Sequence, residues 1–168
     1  MPEPVIKFLP TANVAVVSEH TKSVIRDLLR TAGCPSCAIT STSRTPEAQA
    51  RAMYKNILAN GVTDQLALYA DAGDKVINEY VKAKKAGKGE AEIIAAMTAM
   101  VIAAGPSRVS LHCADPARLN VIDIAPSSIV DPGAFLAALK NALTQGTLSR
   151  FFSPGNHDPA FHIEVPQP

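Results

Sequence analysis

Three residues with the chemistry of metal ligands stand in apolar surroundings: His112 in "SLH", Asp123 in "VIDI" and His162 in "FHIE". A carboxylate flanked by Val121, Ile122 and Ile124 must be paired or bound to a cation to offset its desolvation. Two imidazoles and one carboxylate make a three-ligand zinc set that leaves a fourth position for water. The same residues also suit a buried Asp-His or Asp-Arg pair without metal. Spacing leaves both readings open, because three separated ligands are a weaker signal than a compact H-E-x-x-H.

Strands must position such a set. "RVSLH" alternates, "NVIDIAP" is a compact apolar run around one aspartate, and "AFHIEV" reads as a final strand. Neighbouring strands would bring His112, Asp123 and His162 together. Upstream, "CAITSTSR" is a short β-branched strand that delivers Arg44 at its end. The helix after it is well marked, with Thr45 as N-cap, Pro46 in the first turn, Glu47 near the positive end of the dipole and Gly61 as terminator. Arg44 and Gln49 therefore flank a helix start.

Other helices frame this set. "SEHTKSVIRDLLRTAG" is amphipathic through Val24, Ile25, Leu28 and Leu29, with Gly33 as its stop. Residues 62 to 105 are helical in pattern with a break at "KKAGKGE", a solvated lysine loop. "DPGAFLAALKNALTQG" starts on Asp131 as N-cap and Pro132 behind it. This order predicts an α+β domain with a small antiparallel sheet flanked by helices.

At 168 residues, 47% apolar and 18% charged with net charge +1, the chain fits one globular domain over residues 1–168. The charge balance gives no nucleic-acid footprint. "AEIIAAMTAMVIAAG" is too short to span a bilayer, so no membrane insertion is expected and a core helix is the better reading. The N-terminus shows no secretory signal, which predicts synthesis in the cytoplasm. Cys34 and Cys37 have C-x-x-C spacing but follow a helix and lead into a strand, the reverse of a redox motif, so they read as small residues of a turn. His20, at a helix start, reads as solvated or capping.

The set "SLH … VIDIAP … FHIE", preceded by "STSRTPEAQ", resembles the zinc D-Ala-D-Ala carboxypeptidase and L-alanyl-D-glutamate peptidase family, which includes phage endolysins and D,D-dipeptidases of vancomycin resistance. Ser41, Arg44 and Gln49 match that family's early S-x-x-R-x-x-x-x-Q; Ser110 and His112 match its S-x-H; Asp123 and His162 match its later ligands. The resemblance implies a DD-peptidase, Hedgehog-like fold. It also implies Zn2+ held by His112, Asp123 and His162, with zinc-activated water attacking a peptide bond of a peptidoglycan stem or cross-link. Arg44 would stabilise the developing oxyanion, a role that suits a permanently charged fork. Gln49, Ser110 and Ser41 would line the substrate site.

The chain departs from the family in two places. His112 and Asp123 are separated by the insert "CADPARLN", where the family brings its aspartate closer through G-x-A-x-D; loop closure tolerates such an insertion. Asp115, in the turn-like "CADPAR", is the competing ligand. Pro159 stands where the family carries its catalytic acid, three residues before the last histidine. The general base is then Asp158, one residue further back, or Glu164, which alternation puts on the same sheet face as His162. His157 could assist protonation or cap the loop. The expected protein is a monomeric endolysin-like peptidase, made without a signal peptide and acting on the wall in the periplasm after release. The rivals are a catalytically silent wall-binding or virion structural relative, and a D,D-dipeptidase or carboxypeptidase on small peptides.

Overall fold

The computed structural model describes residues 2–155 and 159–168. The chain is α+β, and its backbone falls into two compact units, Met1–Ser43 with Asp115–Pro168, and Arg44–Ala114.

The first unit is built on one sheet. Its strands are β1 (Val5–Phe8), β2 (Ser36–Ser41), β3 (Leu119–Ile124), β4 (Arg150–Phe152) and β5 (Phe161–Pro166), in the spatial order β1-β2-β3-β5-β4. The sheet is mixed, not antiparallel as expected. β1 pairs with β2 in parallel, and the other three pairings are antiparallel. The departure comes from "VIKF", whose short run carries no turn signal to mark it as a strand. The antiparallel pairings position the candidate residues: Asp123 stands opposite His162, Val121 opposite Glu164, and Phe152 opposite His162.

Alternation sorts these strands into two faces. Ile122 and Ile124 of β3 with Phe161, Ile163 and Val165 of β5 enter one core, where they meet two helices, α1 (Glu19–Thr31) and α7 (Pro132–Thr144). α1 contributes Val24, Ile25, Leu28 and Leu29, and α7 contributes Phe135, Ala138, Leu139 and Ala142. Phe135 and Phe161 meet edge to face, with centroids 5.0 Å apart. Both helices start as the sequence predicts or nearly so. Ser18 caps α1 by accepting from the Thr21 N–H, and Asp131 caps α7 by accepting from the Ala134 N–H. Cys34 and Cys37 are free thiols buried in this core, as packing residues would be. Burial, with Cys34 adding to it, pushes the Cys37 thiol up to about 12. His20 is exposed on α1.

The second unit is helical: α2 (Pro46–Asn60), α3 (Val62–Leu68), α4 (Asp71–Lys85), α5 (Glu90–Ala104) and α6 (Pro106–Val109). Its core is separate and includes Ala50, Met53, Ile57, Val76, Ile77, Ile93, Met97 and Val101. Thr45 caps α2 through the Ala48 N–H, with Pro46 behind it and Gly61 at the end, as predicted. α5 contains the alanine-rich apolar run, and among the described residues no helix is long and apolar enough to cross a membrane.

One predicted strand is absent. "RVSLH" forms the last residues of α6 and a 3-10 turn, Leu111–Cys113. Gly105 takes φ +94, where an L residue is strained, and Pro106 behind it opens a helical turn rather than a strand. Alternation over so few residues does not outweigh those two signals. His112 is thus carried by a turn, and only Asp123 and His162 of the three lie on strands.

Candidate metal centre

Asp123 and His162 are brought together by register. They are direct cross-strand partners, so their side chains leave the same face of the sheet, and His162 Nδ1 lies 3.0 Å from Asp123 Oδ1. Two residues along β5, Glu164 returns to that face, and its Oε1 lies 3.1 Å from His162 Nε2. Both ring nitrogens therefore meet a carboxylate, an arrangement that favours the protonated ring, which can donate to both. Glu164 is 3% exposed and His162 8% exposed, so neither charge is well solvated. Burial alone would pull the His162 pKa down. The hydrogen bonds and charges of Asp123 and Glu164 outweigh it and raise the value to about 9.

Neighbours complete this face. Ser41, at the end of β2, is the register partner of Asp123 on its other side, after an irregularity that follows Ile39. The hydroxyl of Thr40 donates to the Asp123 backbone carbonyl at 3.3 Å. Phe152 packs a tilted ring 5.5 Å from the His162 ring, centroid to centroid. Arg150 Nε lies 3.9 Å from Glu164 Oε1.

His112 is buried and its turn is held at both ends. Its backbone N–H donates to Ser110 Oγ at 3.3 Å, and its carbonyl accepts from the Arg44 N–H. Ser110 thereby caps the turn that carries His112. Arg44 is placed in turn by Gln49, whose Oε1 accepts from Arg44 Nη1 at 3.2 Å. Gln49 is fully buried, and its amide nitrogen donates to the hydroxyl of Tyr69 at 3.3 Å. Arg44, Gln49 and Tyr69 thus form one hydrogen-bonded chain. Burial raises the Tyr69 pKa, so the phenol stays a neutral partner.

One ligand atom each from His112, Asp123 and His162 lies within 4.8 Å of the others, and this group could hold a metal ion. Two imidazole nitrogens and a carboxylate oxygen are the donor types that zinc takes, at bonds of roughly 2.0–2.2 Å. The local charge fits as well. Two poorly solvated carboxylates converge on His162, so a cation that displaces the imidazolium proton leaves that charge compensated.

Asp115, the competing ligand, is exposed and occupied as a turn residue, its carboxylate accepting from the Ala117 N–H at 2.9 Å. Asp158 and His157 lie outside the described residues. Glu164 reaches His162 directly, its Oε1 3.1 Å from Nε2, closer than a strand separation of about 7 Å suggests. The sequence reading overlooked Tyr69, Arg150 and Phe152. For the last two the alternation of "RFF" was the available signal; for Tyr69 there was none. No protein-family model matches this chain, and neither the curated proteins nor the solved structures contain a match.

Proposed function

We propose that the protein is a zinc metallopeptidase that hydrolyses peptide bonds of bacterial peptidoglycan, as an endolysin does. The observation that carries this reading is the His112, Asp123 and His162 group, whose donor types and closeness suit a metal ion. Its second support is the spread of matching motifs from Ser41 to Glu164. Zinc bound there supplies Lewis acidity, polarising a carbonyl and bringing the pKa of water towards neutrality.

The protein's own groups do the rest. Glu164 stands against Nε2 of His162 and Asp123 against Nδ1, so with Nε2–H held by Glu164 the Nδ1 atom would be the one to hold a metal. Ser110 and the Arg44 N–H fix the His112 turn. The Arg44 guanidinium, steadied by buried Gln49, offers a fixed positive charge to an oxyanion as it develops. Asp158 is the acid nearest in sequence to the family's position and takes the role of general base. Glu164 serves better as the residue that orients His162.

The test is metal analysis of the purified protein, paired with peptide release from peptidoglycan before chelation, after it, and after zinc is restored. Stoichiometric zinc with chelator-sensitive release supports the reading. A metal-free protein that binds wall without cutting it refutes it and leaves the silent wall-binding relative, which the displaced acid favours. Release only from short free peptides would instead identify a D,D-dipeptidase.

A further inference from the structure

Gln49 meets Arg44 through its side-chain oxygen and Tyr69 through its side-chain nitrogen. That polarity is forced. A guanidinium has only donors, so the amide must turn Oε1 towards it, and the buried NH2 is left for a group that can accept. The Tyr69 hydroxyl is that group. Tyr69 ends α3, its N–H closing the last turn on the Gln65 carbonyl, and its ring packs against the core of the second unit.

Gly73 fixes where that ring lies. It is buried in the first turn of α4 and takes no positive φ, and glycine inside a helix is less stable than alanine. Conformation therefore does not account for it; space does. A Cβ on Gly73 would stand 2.5 Å from Cβ and Cδ1 of Tyr69 and 2.7 Å from Cγ, too close for packed carbon atoms. Any larger residue would push Tyr69 away from α4.

We infer that Gly73 and Tyr69 are positioning residues for Arg44. The bare helix backbone at Gly73 seats the Tyr69 ring, the Tyr69 hydroxyl sets the Gln49 amide, and the amide holds the guanidinium. All of these residues belong to the Arg44–Ala114 unit, so the chain of contacts is internal to it. Neither Gly73 nor Tyr69 falls within a motif that carries the family resemblance. The placement of Arg44 stands on the contacts themselves, and only its effect on turnover rests on the peptidase reading.

The experiment compares wild type, Tyr69→Phe, Gly73→Ala and the double variant. Side-chain NMR of Arg44 and cleavage of a soluble peptide are read, with melting curves and zinc content as controls. In wild type the Nη protons should give resolved signals, because a hydrogen-bonded guanidinium rotates slowly, and either single variant should merge them. Each should also lower kcat by about tenfold with KM and zinc content unchanged, since a small misplacement of a reacting group is enough. The double variant should be no slower than Tyr69→Phe, although Gly73→Ala lowers the melting temperature equally in both backgrounds. That non-additivity separates a residue acting through the Tyr69 hydroxyl from one that only supports the helix. Tyr69→Phe keeps the ring on Gly73 and carries the test should Gly73→Ala fail to fold. Resolved Arg44 signals in folded Tyr69→Phe, or an equal slowing by Gly73→Ala in both backgrounds, overturn the inference. If wild type cuts no peptide, the peptidase reading is what fails, and the Arg44 signals still decide the placement.

Discussion

Asp123 and His162 face each other across β3 and β5, with 3.0 Å between Oδ1 and Nδ1. The register that sets this distance is fixed from the other face, where Ile122, Ile124, Phe161 and Ile163 are buried in one core, so a slip of either strand by one residue would turn its apolar pair out of that core. Asp123→Asn keeps the shape and removes the negative charge of the proposed ligand. It should lower zinc affinity by roughly 100-fold or more while leaving the melting temperature of the zinc-free protein little changed. Competition with a chromogenic chelator measures the affinity, and equal affinity in the two proteins would remove Asp123 from the ligand set.

The pH dependence follows from the same pair. His162 is raised to about 9 in the zinc-free protein, above its unfolded value of about 6.5. Its contribution to stability is therefore fully present below about pH 6.5 and is lost as the pH rises through about 9. Melting temperatures of the zinc-free protein should fall across that window, and Asp123→Asn should flatten the fall. Zinc binding must also expel the imidazolium proton, so affinity should rise with pH up to about 9. Calorimetry in buffers of different ionisation enthalpy reads the proton released; no release at pH 7 would contradict a protonated His162.

Arg44 and Gln49 make a separable prediction, because neither is a candidate ligand. Arg44→Lys keeps the charge but loses the fork, and it should reduce kcat by roughly 100-fold with zinc content unchanged, as loss of an oxyanion donor does. Gln49→Leu strands the Tyr69 hydroxyl and one Arg44 bond in a buried setting, at a cost of about 1–3 kcal/mol in stability. Kinetics with a soluble peptide and denaturant melts measure the two effects. A Gln49→Leu protein that is slow but as stable as wild type would mean that Gln49 acts on substrate and not through Arg44.

Where the sequence was legible, one local signal dominated. The bounds of α2 were readable because Thr45, Pro46 and Glu47 mark its start and Gly61 its end, and the strands of Asp123 and His162 because apolar runs bound each polar residue. His112 was harder: its environment is a turn held by Ser110 and by a distant backbone group at Arg44, and alternation in "RVSLH" mimicked a strand. The parallel β1 pairing was invisible for a related reason, since a four-residue edge strand of half-exposed residues has no periodicity to detect. Glu164 could be placed on the right face by counting, but its bond to His162 depends on side-chain torsions that counting does not give.

The last prediction concerns the scaffold behind the centre. Phe135 is fully buried, and its edge-to-face partner Phe161 is the chain neighbour of His162 on the opposite face of β5. Phe135→Ala leaves a cavity under that strand and should cost about 3–5 kcal/mol in unfolding free energy. Because Asp123 and His162 are held by register and a hydrogen bond on the other face, zinc affinity should fall far less than in Asp123→Asn. Denaturant unfolding with and without zinc, read against chelator competition, compares the two variants directly. A Phe135→Ala protein that stays folded yet loses zinc as completely as Asp123→Asn would show that the centre depends on core packing more than on its own face of the sheet.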